Sequence, residues 1–154
     1  MSSIEDRLAE LGVTLPTPAA PVANYVPYVI TGNLVFISGQ VTLGPDGFEY
    51  QGKVGTDISV EDAVKAARLC AINILSQLKA ACGGDLERVR RCVKLGGFVN
   101  SIADFTDHPK VINGASDLMV EALGDRGKHA RFAVGAGSLP LNVAVEVDAV
   151  FEIE

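Results

Sequence analysis

The sequence predicts an α+β domain in which a mostly antiparallel or mixed sheet carries helices on one face. Three observations support this prediction. Two segments have the apolar spacing of amphipathic helices, the last segment alternates apolar and polar side chains like a strand, and Gly- or Pro-rich turns divide the strands. The predicted order is β-β-α-β-α-β-β, and 154 residues suit a single domain.

The N-terminal part differs in character from the rest of the chain. Residues 4–11 predict a short helix whose apolar side chains share one face, and the Pro-rich stretch over residues 15–21 predicts an extended arm. We therefore divide the chain into an N-terminal helix and arm, residues 1–20, and a domain over residues 21–154.

The first two strands are predicted over residues 26–30 and 34–40, joined by a turn at Thr31-Gly32-Asn33. Gly44-Pro45-Asp46-Gly47 is a second strong turn signal. A long helix then begins at Ser59, whose side chain can cap the first turn, and ends at the Gly83-Gly84 pair. Its apolar stripe contains Val60, Ala63, Ala67, Cys70, Ile74 and Leu78.

The second half of the chain supplies one more helix and three strands. They are a strand over 91–99, a helix over 109–123, and strands over 130–135 and 143–153. In the first of these strands, Leu95 alternates against Cys92. In the second, Ala130, Phe132 and Val134 share one face, which we predict to face the core, and Arg131 lies on the other.

Strand 34–40 predicts self-association. Its residues Leu34, Val35, Phe36 and Ile37 are apolar on both faces of the strand, whereas two helices can cover only one face of the sheet. The other face would expose a large apolar patch unless it met another subunit. We therefore predict a homo-oligomer, with pockets between its subunits.

Composition excludes several classes of function. A net charge of −6 disfavours a dedicated nucleic-acid binder. The three cysteines form no CxxC motif, and with two histidines they show no metal-ligand spacing, so we expect reduced thiols, no metal and a cytoplasmic protein. No signal peptide is visible, and prolines and polar residues interrupt the one long uncharged stretch, so we expect no membrane span.

Five residues are candidates for chemistry, each with a plainer alternative. Arg131 stands beside small residues and could hold a carboxylate with its planar fork, or be a surface arginine. Glu146 lies on the polar face of the last strand and could be catalytic or simply solvated. Ser38 and Gly39 could offer a hydroxyl and backbone N–H groups, or only end a strand. Tyr25 could line a site or serve in packing.

Two groups of residues together resemble the Rid/YjgF family of reactive-intermediate imine deaminases, also called L-PSP endoribonuclease-like proteins. The first is Tyr25-Val26 followed by Gly32-Asn33-Leu34-Val35-Phe36-Ile37-Ser38-Gly39-Gln40. The second is Ala130-Arg131, then Leu139-Pro140, then Val145-Glu146-Val147. The resemblance runs from about Pro21 to Phe151, which is most of the chain.

The resemblance implies a chorismate-mutase-like fold and a homotrimer with a central barrel and three pockets between subunits. It implies that Arg131 holds the substrate carboxylate, that Glu146 positions water, and that Tyr25, Ser38 and Gly39 line the pocket. The implied substrate is a 2-imino or 2-enamino acid released by pyridoxal-phosphate enzymes. Water would convert it to a 2-keto acid and ammonia without a cofactor.

Three positions depart from the family pattern. Phe132 stands where a Ser or Thr is usual, Ala133 replaces a pocket cysteine, and Ala103 replaces an asparagine before Asp104-Phe105. These departures keep a second hypothesis open, a non-catalytic trimer that binds a small carboxylate or a partner protein. A third hypothesis, RNA cleavage, is disfavoured by the acidic charge and the absence of a basic groove.

Overall fold

The computed structural model describes residues 3–18 and 23–154. In chain order, the helices and strands are α1 (Ile4–Glu10), β1 (Tyr28–Thr31), β2 (Leu34–Gln40), β3 (Leu43–Gly44), β4 (Gly47–Phe48), α2 (Val60–Ala81), β5 (Val89–Asn100), α3 (His108–Leu123), β6 (Ala130–Ala136) and β7 (Val145–Ile153). Five strands form one sheet in the order β1-β2-β7-β5-β6. Only β5 and β6 pair in parallel, so the predicted α+β class with a mixed sheet is confirmed.

The core lies between this sheet and the helices α2 and α3, which pack on the same face. The Ser59 side chain accepts the Asp62 N–H at 3.1 Å and caps α2, as predicted. The alternation in β7 is also confirmed. Its helix-facing residues, each at most 3% exposed, are Val145, Val147, Ala149, Phe151 and Ile153.

A bulge in β5 changes one predicted face. The register with β7 shifts between Cys92 and Lys94, so that Cys92 and Leu95 both point toward the helices and both are fully buried. The prediction that Cys92 alternates against Leu95 is therefore wrong, because strict alternation holds only where the ladder is regular.

The predicted orientation of β6 is also wrong. Phe132 lies on the helix-free face, where its ring meets that of Phe98 edge-on with centroids 5.2 Å apart. Gly96 makes this possible, since a Cβ there would lie 2.6 Å from Phe132 Cζ. The alternating residues Ala130 and Val134 share that face, so they do not face the core. Periodicity had grouped them correctly but could not say which face the helices cover.

The N-terminal helix belongs to the same core. Ser3 and Asp6 form a reciprocal capping box at its start, and Ile4 and Leu8 are buried against the main domain. Pro16, at the start of the predicted arm, accepts a 2.6 Å hydrogen bond from the Ser76 hydroxyl of α2. Residues 19–21 of that arm lie outside the described residues.

The helix-free face keeps apolar side chains at its surface. Val35 and Ile37 of β2 are buried toward the helices, whereas Phe36 between them is 45% exposed on the other face. Val29 of β1 pairs with Phe36 and is 52% exposed, and Val134 of β6 is 42% exposed. β1 and β6 are the two edges of the sheet, so apolar groups extend across this face to both edges.

Candidate functional site

Arg131 lies on the helix-facing side of the edge strand β6. It pairs in register with Leu95 of β5, and its guanidinium reaches across to α3. Nη1 donates to Asn113 Oδ1 at 2.8 Å and to the Ser116 hydroxyl at 3.1 Å, while Nη2 donates to the Pro109 carbonyl at 3.3 Å. All three acceptors are neutral. They orient the guanidinium without neutralising its charge.

No carboxylate within the described ranges forms an ion pair with Arg131. The guanidinium has five N–H donors in a planar fork, and the contacts with α3 leave part of that fork free. An arginine in this state is suited to bind an external anion, and a planar carboxylate matches its geometry best.

Glu146 lies on the opposite face of the sheet, half-buried in β7. It pairs in register with Phe98 of β5, and its carboxylate contacts the backbone of β2 at Gly39. A Cβ at Gly39 would overlap the Glu146 carboxylate, so only glycine lets the side chain lie there. The β2 strand is irregular at this point, where its register with β7 shifts between Ile37 and Gln40.

Two carboxyl groups on this face have raised pKa values. Burial, reinforced by the charge of Asp148, raises the pKa of Glu146. Burial also raises the pKa of Asp148, against the opposing effects of a hydrogen bond from the Gly96 backbone and the charge of Lys94. A raised pKa brings a carboxyl group closer to the range in which it can both take and give a proton near neutral pH.

Ser38, Gly39 and Tyr25 line one cleft of about 800 Å³ between residues 11–18, residues 68–77 of α2 and the end of β2. The Ser38 hydroxyl donates to the Val26 carbonyl at 2.8 Å, so its proton is engaged. Tyr25 is 55% exposed, and its ring is not part of the packed core.

Within one chain, therefore, the five predicted residues form two separate groups. Glu146 contacts Gly39, and Gly39 shares the cleft with Ser38 and Tyr25. Arg131 stands apart, because β5 separates its strand from that of Glu146 and the two side chains leave the sheet on opposite faces.

The structure adds a second cavity that the sequence did not predict. It measures about 560 Å³ and lies at the ends of β5 and β6, where its wall includes Lys53, Ser101, Ala103 and His108. Lys53 Nζ donates to Asn100 Oδ1 at 3.0 Å and to the Gly137 carbonyl. Lys53 and Gly137 are 84 residues apart in sequence, so no local pattern could have paired them.

His108 faces this cavity because residue 135 is a glycine. A Cβ at Gly135 would lie 2.6 Å from His108 Nε2. The same nitrogen lies 3.4 Å from the Ser101 hydroxyl, and the imidazole packs edge-on against Phe105 at 5.2 Å between centroids. The sequence pattern predicts neither a metal site nor a catalytic histidine pair at His108, and its place in this cavity follows from the packing of α3 against β6.

The cysteines and acidic residues give no sign of a metal centre. All three thiols are free and buried, and burial raises the pKa of Cys92 to about 12. Over residues 3–18 and 23–154, no cluster of three or more His, Cys, Asp or Glu side chains could hold a metal ion. None of the helices in those ranges combines the length and apolar character needed to cross a membrane.

Comparison with known proteins places this arrangement in a family. Residues 5–153 match the family model described as "YjgF/chorismate mutase-like, putative endoribonuclease". The chain therefore belongs to the YjgF family, as its two sequence signatures predicted. It is 47% identical over 148 residues to protein TCP17 of Trypanosoma cruzi, covering 96% of this chain and 92% of that protein.

Solved structures agree on the fold. Protein Atu1372 of Agrobacterium tumefaciens has a TM-score of 0.93 and 52% identity, and the match covers 98% of this chain and 92% of that one. A "putative endoribonuclease" of Shewanella oneidensis has a TM-score of 0.95 and 37% identity, covering 99% and 100% of the two chains. The N-terminal helix lies within these matches, which cover nearly the whole chain.

Proposed function

We propose that this protein is a hydrolytic deaminase that converts reactive 2-imino and 2-enamino acids to 2-keto acids and ammonia without a cofactor. The observation that carries the proposal is the guanidinium of Arg131, which three neutral oxygen atoms hold in place and which pairs with none of the described carboxylates. All these substrates carry a carboxylate beside the reacting carbon, and an oriented guanidinium binds a carboxylate through two parallel hydrogen bonds.

The proposed active form is a homotrimer. The exposed apolar residues Val29, Phe36 and Val134 lie on the helix-free face, and burying them against other copies would remove a patch that water solvates poorly. Such packing also brings an edge of one subunit beside the opposite edge of the next. In this arrangement the Arg131 group of one copy completes the group of Glu146, Gly39 and Tyr25 in its neighbour.

The proposed reaction needs only water and proton transfer. An enamine first gains a proton at C3 and becomes the imine. Water then adds to C2 while Glu146 takes one of its protons and passes it to the nitrogen, which gives a carbinolamine with one hydroxyl and one amino group on C2. The carboxyl group next relays the hydroxyl proton to the amino nitrogen as the C2–N bond breaks. Ammonia leaves, and the oxygen remains as the keto group. The raised pKa of Glu146 suits a group that acts first as base and then as acid.

One observation favours a second candidate, a trimer that binds small carboxylates without catalysis. The Ser38 hydroxyl donates its proton to Val26, and Ala103 and Ala133 supply no polar group. This candidate retains Arg131 as the anion-binding residue but assigns no proton transfer to Glu146. We also propose a cytoplasmic location, because three unpaired thiols suit a reducing compartment.

The test generates 2-imino acids with an L-amino-acid oxidase in the presence of semicarbazide, which traps the imine as a semicarbazone that absorbs in the ultraviolet. A deaminase hydrolyses the imine before it is trapped, so the wild-type protein is expected to lower semicarbazone formation. Glu146→Gln is expected to lower the deaminase rate about 10²–10⁴-fold, the usual contribution of general acid–base catalysis.

Glu152→Gln is the matched control, since Glu152 lies on the same strand and face but is bonded to Asn33. If the wild-type protein binds 2-keto acids but leaves semicarbazone formation unchanged, the non-catalytic candidate is correct and the deaminase proposal is wrong. Release of nucleotides from single-stranded RNA, abolished in Glu146→Gln, would instead identify the protein as a nuclease.

A further inference from the structure

We propose that Lys53 binds a second anionic group on the substrate, so that the preferred substrates are 2-imino acids whose side chain ends in a carboxylate. This inference rests on the proposed deaminase function and specifies its substrate class. It comes from the second cavity, whose wall contains one positioned ammonium and no carboxylate.

The Lys53 ammonium is held firmly in place. Its Nζ donates to Asn100 Oδ1 and to the Gly137 carbonyl, and Asn100 is itself buried, with its amide donating to the Val143 carbonyl at 3.1 Å. The main chain is held as well, because the Lys53 carbonyl accepts the N–H groups of Asp57 and Ile58. Hydrogen bonds therefore hold Lys53 both at its backbone and at its ammonium group, and together they fix the position of the charge.

The charge of this ammonium is not balanced by the protein around it. Both of its acceptors are neutral, and along the described parts of the chain no carboxylate oxygen lies within 4.0 Å of Nζ. Asp57 is the acid nearest in sequence, but its Oδ2 accepts the Lys53 backbone N–H at 2.9 Å. An ammonium has three donors and two are used, so one N–H remains for a ligand.

The cavity provides room and hydrogen-bonding groups beside this charge. Ala103 and Gly135 leave the space open, and the Ser101 hydroxyl and the His108 imidazole lie on the wall. A partly buried cation with neutral partners is less stable than one paired with an anion. A carboxylate entering this cavity would supply the missing negative charge.

The cavity lies next to the predicted carboxylate anchor. Arg131 Nη2 donates to the carbonyl of Pro109, the residue that follows His108 at the first turn of α3. A substrate whose α-carboxylate is bound by Arg131 would therefore direct its side chain along the first turn of α3 toward the cavity. The Arg131 guanidinium and the Lys53 ammonium suit a molecule with a carboxylate at each end. In this arrangement Arg131 binds the α-carboxylate and Lys53 selects the substrate side chain.

The experiment compares two ligands of equal chain length by isothermal titration calorimetry: 2-oxoglutarate, with two carboxylates, and 2-oxopentanoate, with one. The wild-type protein is expected to bind 2-oxoglutarate about tenfold or more tightly, as one charge-assisted hydrogen bond implies. Lys53→Gln removes the positive charge, so the preference for 2-oxoglutarate over 2-oxopentanoate is expected to disappear. The glutamine amide can still donate a hydrogen bond to Asn100, which preserves the local structure. Lys128→Gln, at an exposed lysine paired with Asp125, is the control and is expected to keep it.

The imines of glutamate and norvaline are then compared in the trapping assay with the same three proteins. Hydrolysis of both at equal rates, unaffected by Lys53→Gln, would overturn the Lys53 inference and leave the deaminase function intact. Failure to hydrolyse either, with Lys53-dependent binding of 2-oxoglutarate, would overturn the deaminase function and support the anion site. The comparison of the two ligands in the wild-type protein decides the inference even if Lys53→Gln does not fold.

Discussion

The Glu146 carboxylate lies against the backbone of Gly39, at the position where any other residue would carry its Cβ. This contact joins the central strand β7 to the irregular end of β2. It fixes the position of the Glu146 carboxyl group, whose pKa is raised. It brings the glycine and the glutamate, which are far apart in sequence, into direct contact within the candidate site.

Gly39→Ala is expected to displace Glu146 and to reduce activity more than stability. The obstructed atoms are at the end of a flexible side chain, so the glutamate can rotate away at a modest energetic cost of about 1 kcal/mol, the low end of the usual range for overpacking a core. Deaminase rate and thermal unfolding together check this. Gly83→Ala is the control: its positive φ strains the added Cβ, but no atom lies within 4 Å of that Cβ and the residue lines neither cavity. Full activity in Gly39→Ala would remove Glu146 from the mechanism.

Glu146→Gln is expected to stabilise the protein at neutral pH. Burial and the Asp148 charge raise the pKa of Glu146, so the folded state binds its proton more tightly than the unfolded state does. Stability therefore falls as pH rises from the ordinary glutamate pKa of 4.5 through the raised value, and above it the full cost is present. Glutamine avoids this cost.

Urea unfolding across this pH range provides the measurement. The stability difference between Glu146→Gln and wild type is expected to be largest at neutral pH and to shrink as the pH falls toward 4.5. A stability difference that grows on acidification would mean that the ionised carboxylate stabilises the folded protein. That result would contradict the conclusion that burial and the Asp148 charge raise the pKa of Glu146.

Arg131→Lys is expected to weaken the binding of 2-oxobutanoate about 10–100-fold, because a point charge cannot reproduce the planar fork. The fold is expected to persist, since the side chain bonds only to α3 and fills no part of the core. Titration calorimetry measures the affinity. Arg126→Lys serves as the control, because Arg126 bonds to the Val89 carbonyl and to Glu87, outside both cavities. Equal affinity in both variants would show that Arg131 does not bind the carboxylate.

Light scattering is expected to give three times the 16.1 kDa chain mass. Phe36→Glu places a charge on the apolar helix-free face and is expected to release folded monomers, as judged by scattering and circular dichroism. Val120→Glu is the control. Val120 lies on α3 and is 39% exposed, close to the 45% of Phe36, and this variant is expected to remain trimeric. A folded wild-type monomer at micromolar concentration would contradict the trimer.

The thiols are expected to resist Ellman's reagent in the native protein. Burial raises the pKa of Cys92 to about 12 and also raises those of Cys70 and Cys82, so almost no thiolate is present at pH 8. Denaturation is expected to release all three thiols for reaction. Fast labelling of the native protein would indicate that the core opens locally.

Much of the fold could be predicted from the sequence because periodicity and turn chemistry are local. The Ser59 cap, the helical stripe of α2 and the alternation of β7 depend on neighbouring residues, and the structure has them as predicted. The family was also predictable, since both signatures consist of short runs of residues at spacings that can be read directly from the chain.

Tertiary structure alone decided which face of β6 the helices cover and which side chains meet. Alternation grouped Phe132 with its strand neighbours, but the space above Gly96, which comes from a different strand, determined that Phe132 lies on the helix-free face. Likewise, Lys53 reaches Asn100 only after a loop and a strand pack together. Such contacts depend on three-dimensional packing between distant segments, and neither composition nor local spacing records that packing.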